Sequence, residues 1–195
     1  MRTQIIISSK TVEKLKQNAR RLKKEDGISH HEALDQVAKK VGFDHWHHVS
    51  ESAKAFAPTE QAYYFGTIIA MDVKDGMDFH DPSGAFVEDN LAPALCTYDI
   101  YEFVRTAEAE DCEIDTSDPT YQEDLKEWAS DISMNYTFFR YTGAEIPANV
   151  EDVVKLTSKC CFWPPEFIWH KGAFQESPSD VALDDDGEVA GVRFG

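Results

Sequence analysis

The stretch from Ile28 to Val49, ISHHEALDQVAKKVGFDHWHHV, carries the strongest structural signal in the chain. Ser29 followed three residues later by Glu32 is the pattern of a capping box, in which each side chain binds the other residue's backbone N–H at a helix start. Gly42 follows two lysines at the place where a helix usually ends. The sequence therefore predicts a helix over Ile28–Gly42, with an apolar stripe at helical spacing. The stripe consists of Ala33, Leu34, Val37, Ala38 and Val41.

A second helix is predicted upstream, from a cap at Ser9 or Thr11 to about Asp26, where Gly27 ends it. One of its faces is apolar and the other is basic. Three consecutive isoleucines indicate a short strand before it, over Thr3–Ser8. The basic face comprises Lys14, Lys16, Arg20, Arg21, Lys23 and Lys24.

The segment after Gly42 is expected to close this region. Phe43 and Trp46 are interpreted as anchors that fold the following turn back onto the helix. Ser50–Glu60 is interpreted as a fraying end and a linker because Pro58 interrupts it. We therefore predict an N-terminal head over residues 1–55, made of a short strand, two helices and a C-terminal turn. An acidic α+β domain is predicted over residues 61–195.

Charge separates the two predicted regions. Residues 1–55 contain eleven Lys and Arg against seven Asp and Glu, a net charge of +4. The other 140 residues contain eight against twenty-nine, a net charge of −21. Such asymmetry indicates different partners or surfaces for the two regions.

The acidic region shows helix and strand patterns in mixed order, which predicts an α+β fold class. Its elements are bounded by proline, glycine and capping residues. The predicted elements are a strand over Gln61–Asp72, a helix over Tyr98–Ala109, a helix from Asp118 with an apolar stripe from Tyr121 to Phe139, a short helix capped by Asn149, an extended edge or an aromatic segment covering the core over Phe162–Trp169, and a hairpin over Val181–Phe194.

No apolar run approaches the roughly 20 residues of a membrane span, and the apolar run at the N-terminus is too short for a signal peptide. Four cysteines show neither metal-ligand nor disulfide-framework spacing. We therefore expect reduced thiols, a cytoplasmic location and no cofactor.

The pattern S-H-x-E-A-L, then A, then G-F-x-x-W resembles a short helical module of bacterial and plasmid-borne proteins, most of them uncharacterised. In some of these proteins the module is attached to a glyoxalase-related domain. The resemblance covers about residues 15–50 and implies no particular activity. No paired His and Glu ligands of a working glyoxalase are recognisable after residue 60. The matching positions are Ser29, His30, Glu32, Ala33, Leu34, Ala38, Gly42, Phe43 and Trp46.

A looser resemblance is to ribbon-helix-helix DNA-binding domains. A strand over Thr3–Ser8 followed by two helices has the right order and length for that fold. The resemblance implies that Arg2, Gln4 and Ile6, or their alternates, face the DNA major groove in a dimer. Against it, no clean polar face emerges from the isoleucine run, and the G-F-x-x-W tail does not belong to that fold.

Two clusters of polar side chains are candidates for a metal site or a catalytic site. Five of the seven histidines lie between Ile28 and Val49, and His45 and His48 could share one side of a helical turn as metal ligands. No carboxylate or cysteine completes an obvious ligand set, so packing is the favoured interpretation. Asp78, His80 and Asp81 form the most enzyme-like cluster, with a solvated acidic loop as the alternative interpretation.

Three functional hypotheses follow. The first is a bacterial or mobile-element binding or regulatory protein, whose Lys14, Arg20, Arg21 and Lys24 contact a protein or nucleic-acid partner. The second is an enzyme with an acidic pocket near Asp78, His80 and Asp81. The third is an acidic DNA mimic that occupies a basic protein. We favour binding over catalysis, since the chain lacks phosphate-binding and nucleophile-elbow motifs.

Overall fold

The computed structural model describes residues 5–111 and 118–177, and it confirms the predicted α+β class. The chain divides into two compact units, Met1–Gln61 and Ala62–Gly195. We call them the helical unit and the sheet unit. Whether they are separate domains with the predicted boundaries at residues 55 and 61 stays a prediction.

The helical unit is built from α1 (Ser9–Asp26), α2 (His30–Lys40) and the larger part of α3 (Trp46–Phe65). The cap of α1 is Ser8, whose side chain accepts a hydrogen bond from the backbone N–H of Thr11, so the predicted caps at Ser9 and Thr11 were wrong. Gly27 ends α1 in the left-handed conformation, as predicted, with φ of 66°.

The predicted capping box of α2 is present. The N–H of Glu32 lies 3.2 Å from the Ser29 hydroxyl, and the Glu32 carboxylate accepts the N–H of Ser29 at 2.9 Å. At the other end Gly42, with φ of 90°, donates to the carbonyl of Lys39, and Phe43 donates to the carbonyl of Ala38. This pair of bonds is the Schellman arrangement, which explains why glycine closes the helix.

The small side chains of α1 and α2 allow close packing between them. Ala19, Ala33 and Ala38 are fully buried, and Phe43 closes the cluster as predicted, with Trp46 partly buried against it. Val41 departs from the predicted stripe: it is 44% exposed because it lies at the C-cap, beyond the last helical turn. The core cluster of this unit is Ile7, Val12, Leu15, Ala19, Ala33, Val37, Ala38, Phe43 and Val49.

Two predictions for this region were wrong. Residues 5–8 form no strand; Ile7 packs into the helical core, and no ribbon is present in the described part of the predicted Thr3–Ser8 segment. Ser50–Glu60 is not a linker but lies inside α3. Pro58 removes one backbone donor from this helix, yet Phe56, Thr59 and Glu60 are buried around it, so tertiary packing outweighs the local signal.

The sheet unit contains a five-stranded antiparallel sheet in the order β2-β3-β1-β4-β5. The central strand is buried on both faces because helices cover both sides. The strands are β1 (Thr67–Asp72), β2 (Phe86–Glu88), β3 (Tyr136–Tyr141), β4 (Phe167–His170) and β5 (Ala173–Glu176); the helices are α4 (Val73–Asp78), α5 (Pro93–Asp111), α6 (Pro119–Met134) and α7 (Val150–Thr157).

Alternation along β1 assigns its side chains to two separate cores. Ile68 and Ala70 join a cluster that includes residues of α5 and α6, whereas Ile69 and Met71 join a cluster that includes residues of α7. The first cluster contains Ala92, Cys96, Ile100, Val104, Leu125, Phe138, Phe167 and Trp169; the second contains Phe86, Phe139, Val150, Val153 and Ile168.

Several predictions for the sheet unit hold. A helix covers the predicted Tyr98–Ala109 range, although α5 begins earlier, at Pro93. Asp118 accepts the backbone N–H of Thr120 at 2.8 Å at the start of α6, and Asn149 caps α7. The predicted hairpin over Val181–Phe194 lies outside the described residues.

Three segments differ from the predictions. The first half of Gln61–Asp72 is the end of α3, since the chain stays helical until Gly66. The stripe from Tyr121 to Phe139 is not one helix: α6 ends at Met134 and β3 follows. The last three residues of Phe162–Trp169, together with His170, form β4, which is not an edge strand because it pairs with β1 on one side and β5 on the other.

Candidate binding surface

The outer face of α1 carries a row of long polar side chains. Lys10, Lys14, Gln17, Arg21 and Lys24 are spaced by four, three, four and three residues, and all are exposed. At 3.6 residues per turn this spacing keeps them on one side of the helix. The opposite side holds the buried Val12, Leu15 and Ala19. The row spans about 21 Å along the axis at about 1.5 Å per residue.

The four cationic residues predicted as a binding site all lie on this exposed side. Lys14, Arg21 and Lys24 belong to the row, and Arg20 lies beside it, within an arc of about 120°. Within the described residues, Lys14, Arg20 and Lys24 form no ion pair. Arg21 makes only a long contact, 3.9 Å from Nε to a carboxylate oxygen of Glu25, with both side chains exposed. These cations are therefore available to an anionic partner.

In contrast to these cations, two carboxylates of the helical unit form hydrogen bonds within the unit, at the starts of helices. Asp35 accepts the backbone N–H of Trp46 at 2.8 Å, at the start of α3. Glu60, which is 8% exposed, accepts the backbone N–H of Ser9 at 2.9 and 3.2 Å, at the start of α1. Carboxylates are favourable at helix N-termini because of the helix dipole. Acidic groups thus join the helices internally, and on the exposed side of α1 the cations outnumber the carboxylates of Glu13 and Glu25.

Other carboxylates of this unit are held by local partners. A hydrogen bond from Lys16, 2.6 Å from the Glu13 carboxylate, and the charge of that lysine lower the pKa of Glu13. The backbone N–H and then the hydroxyl of Ser29 lower the pKa of Glu32 in the capping box. Both glutamates therefore stay ionised to lower pH than a free side chain.

A groove between α1 and α2 was not foreseen from the sequence. It encloses about 250 Å³ and is lined by apolar side chains below and by charged side chains at the rim. One sequence feature could have indicated the groove. Val41 is the last position of the predicted α2 stripe, and it lies at the C-cap, after the last helical residue. The lining comprises Leu15, Asn18, Arg21, Leu22, Glu25, Val37, Lys40 and Val41.

The histidines proposed as metal ligands have structural contacts. The Nδ1 atom of His45 lies 3.1 Å from the backbone N of His48, so it accepts a hydrogen bond at the start of α3. The ring of His48 lies edge-on to Phe43, and its Nδ1 is 3.6 Å from a carboxylate oxygen of Asp44. No group of three or more His, Cys, Asp or Glu side chains suited to a metal is found in residues 5–111 and 118–177.

The enzyme-like cluster lies at the end of α4 and in the loop after it. Asp78 and His80 are exposed, whereas Asp81 organises the loop by accepting the N–H and hydroxyl of Ser83 and the N–H of Phe86. Burial alone would raise the pKa of Asp81, but these hydrogen bonds outweigh it and lower the pKa below its usual range. The Asp81 carboxylate thus forms its hydrogen bonds within its own loop.

A part-buried polar contact in the sheet unit was also not foreseen from the sequence. The Asp99 carboxylate oxygen Oδ2 accepts the hydroxyl of Tyr63 at 2.6 Å and the indole N–H of Trp169 at 2.8 Å. Burial raises the pKa of the Tyr63 phenol well above its usual value, and the bond to Asp99 and its charge raise it further. The three residues are far apart in sequence, so no local pattern predicts this contact.

Comparison with known proteins gives one match. The model of a family described as "Glyoxalase superfamily protein" matches residues 3–70, a range that contains the module predicted from residues 15–50. This region of the chain is therefore similar to a glyoxalase-related domain, while the match stops within β1. No curated protein and no solved structure matches the chain. Within the described residues, no helix is long and apolar enough to cross a membrane.

Proposed function

We propose that the chain is a binding protein whose helical unit contacts an anionic partner through the exposed basic face of α1. The observation that carries this proposal is the row of Lys10, Lys14, Arg21 and Lys24, with Arg20 beside it. Cations repeated along one helix face suit a partner that presents several negative charges in a line.

The negative net charge of the whole chain does not oppose this contact at physiological ionic strength. The Debye length is then about 8 Å, so exposed carboxylates farther from α1 are largely screened. The unit's Asp35, Glu60 and Glu32 bind backbone N–H groups within the unit rather than the cations of α1. Local charge rather than net charge therefore governs the contact.

Retention of the full chain on immobilised heparin, a defined polyanion, tests the proposal. We expect retention at low salt and elution as salt rises, because binding through several cations releases counterions. The variant Arg20→Glu/Lys24→Glu should lose most of this retention. Both side chains are exposed, so the fold should be unaffected.

A matched control is Lys126→Glu/Lys159→Glu, which changes the net charge equally at exposed lysines of the sheet unit. It should elute nearly as the unmodified chain does. Equal loss of retention in both variants would mean that net charge alone is responsible, and the proposal would be wrong.

The enzyme hypothesis has weaker support. Among Asp78, His80 and Asp81, the Asp81 carboxylate accepts hydrogen bonds from its own loop. These bonds lower the pKa of Asp81, whereas a general acid or base works best with a pKa near the working pH. A bacterial or mobile-element origin is supported by the resemblance of the helical module. The free thiols of Cys96, Cys160 and Cys161 support a cytoplasmic location, since disulfides form in oxidising compartments.

A further inference from the structure

The groove between α1 and α2 continues the core of the helical unit. Leu15 and Val37 are each 6% exposed and belong to the core cluster, yet they also line the groove. Leu22 is partly buried and Val41 is 44% exposed beside them. An apolar side chain placed here would extend an existing core and remove Val41 from water, which favours binding through the hydrophobic effect.

The size of the groove favours side chains of a macromolecule over a small-molecule ligand. Its volume of about 250 Å³ lies below the roughly 300–1,000 Å³ of typical small-molecule pockets. The walls are two neighbouring helices, which is the setting in which a third helix packs its apolar ridge. One or two apolar anchors from such a helix would fill the space.

The charges at the rim specify the polar face of that helix. Arg21 lies on the α1 wall and Lys40 on the α2 wall. Lys40 forms no ion pair with a described residue, and the 3.9 Å contact of Arg21 with Glu25 is exposed on both sides, a geometry of little energetic value. Both cations are therefore free to pair with carboxylates that flank an apolar anchor.

We infer that this groove docks an acidic amphipathic helix of a protein partner. The inference rests on the proposed function and names its partner. A nucleic acid would use the cations of α1 but would gain nothing from the apolar floor. Arg21 belongs both to the row on α1 and to the rim, so the bound helix would lie along the same side of the unit as the row.

Binding of a defined peptide to the full chain tests the inference. The probe is a fluorescein-labelled amphipathic peptide of about 15 residues, long enough for some helicity, with leucine on one face and glutamate elsewhere. A peptide with lysine in place of glutamate is the control probe. Fluorescence anisotropy should show binding of the glutamate peptide and at least tenfold weaker binding of the lysine peptide.

Variants distinguish peptide binding in the groove from peptide binding to the row on α1. Val41→Gln should weaken binding of the glutamate peptide about tenfold, whereas Val41→Leu, which keeps an apolar side chain at this exposed position, should retain it. Arg21→Glu/Lys40→Glu should reverse the preference toward the lysine peptide. Arg20→Glu/Lys24→Glu, in the row on α1 but outside the groove lining, should weaken binding of the glutamate peptide less than Val41→Gln does.

Two outcomes would overturn the inference. One is a glutamate peptide that fails to bind, or that binds equally to the Val41→Gln variant. The other is binding of a labelled DNA duplex that depends on Arg20 and Lys24 while the peptide shows no dependence on the groove. In the second case the proposed function would stand with nucleic acid as the partner; loss of heparin retention by the control variant would instead remove the proposed function itself.

Discussion

The helical unit and the sheet unit are stabilised in different ways. The helical unit has a core of mostly small and aliphatic side chains, and its carboxylates connect helices by binding backbone N–H groups at their starts. The sheet unit has large aromatic side chains on one face of its sheet, including Trp169, Phe167 and Phe138, beside a part-buried polar contact at Asp99. The charged side chains on the exposed face of α1 lie outside the core of the helical unit, so they and the groove beside them are free to contact a partner.

The largest expected effect tests the aromatic core. Trp169→Ala should lower the free energy of unfolding by about 3–5 kcal/mol, because this side chain is fully buried and its indole N–H binds Asp99. Urea denaturation followed by circular dichroism measures the change. If this variant does not fold, Trp169→Phe should give a smaller measurable loss.

The matched control is Trp128→Ala in α6, where the side chain is 46% exposed. The sequence pattern places this tryptophan in a core stripe, whereas the structure places the buried face of α6 at Leu125 and Ala129. We expect a change within about 0.5 kcal/mol. Comparable losses in the two variants would contradict the burial assignment.

A smaller effect tests how the helical unit connects its helices. Glu60→Ala should destabilise α1 by about 1–3 kcal/mol, since the N–H of Ser9 loses its buried acceptor. Hydrogen exchange of the α1 amides should speed up accordingly. The control Glu51→Ala removes an exposed carboxylate from the same helix and its pair with Lys54, and it should change exchange little. Equal protection of α1 in both variants would contradict the capping role of Glu60.

These residues also explain what the sequence could predict. The end of α1 at Gly27, the Ser29–Glu32 capping box of α2 and the closure of α2 at Gly42 depend on contacts within a few residues, so the sequence predicts them. The continuation of α3 through Pro58 depends on burial of Phe56 and Thr59, and the central position of β4 depends on pairing with β1 and β5. Such contacts join distant segments, so periodicity alone cannot reveal them.

The candidate site shows the same difference between features set by local spacing and features set by contacts between distant segments. The basic face of α1 follows from spacing along one helix, and in the structure its side chains at Lys14, Arg20, Arg21 and Lys24 are exposed. The groove requires the placement of α1 against α2, which fixes how Leu22 and Val41 approach each other. No pattern within one helix contains that information.

The smallest expected effect concerns pH. The folded-state pKa of Tyr63 is raised, through burial and then Asp99, above the ordinary value of about 10 that applies when unfolded. Its stabilising contribution is therefore complete below about pH 10 and is lost as pH rises beyond it toward the raised pKa. The loss should stay below about 1.4 kcal/mol per pH unit, because Tyr63 is only partly buried.

Urea unfolding at pH 8 and pH 10.5 checks this effect. The difference in unfolding free energy between the unmodified chain and Tyr63→Phe should shrink at the higher pH. The control Tyr64→Phe replaces the neighbouring exposed phenol and should leave the difference from the unmodified chain unchanged between the two pH values. A pH dependence that Tyr63→Phe does not alter would mean that other groups cause it.

We propose that the helical unit, not the loop at His80, is the part of the chain that binds a partner. Amide and methyl chemical shifts of the isotope-labelled full chain, recorded during titration with the glutamate peptide, test it most directly. We predict shift changes concentrated in α1 and α2, with the largest methyl changes at Leu22 and Val41. Changes centred on Asp78, His80 and Asp81, or no saturable change at all, would contradict the account.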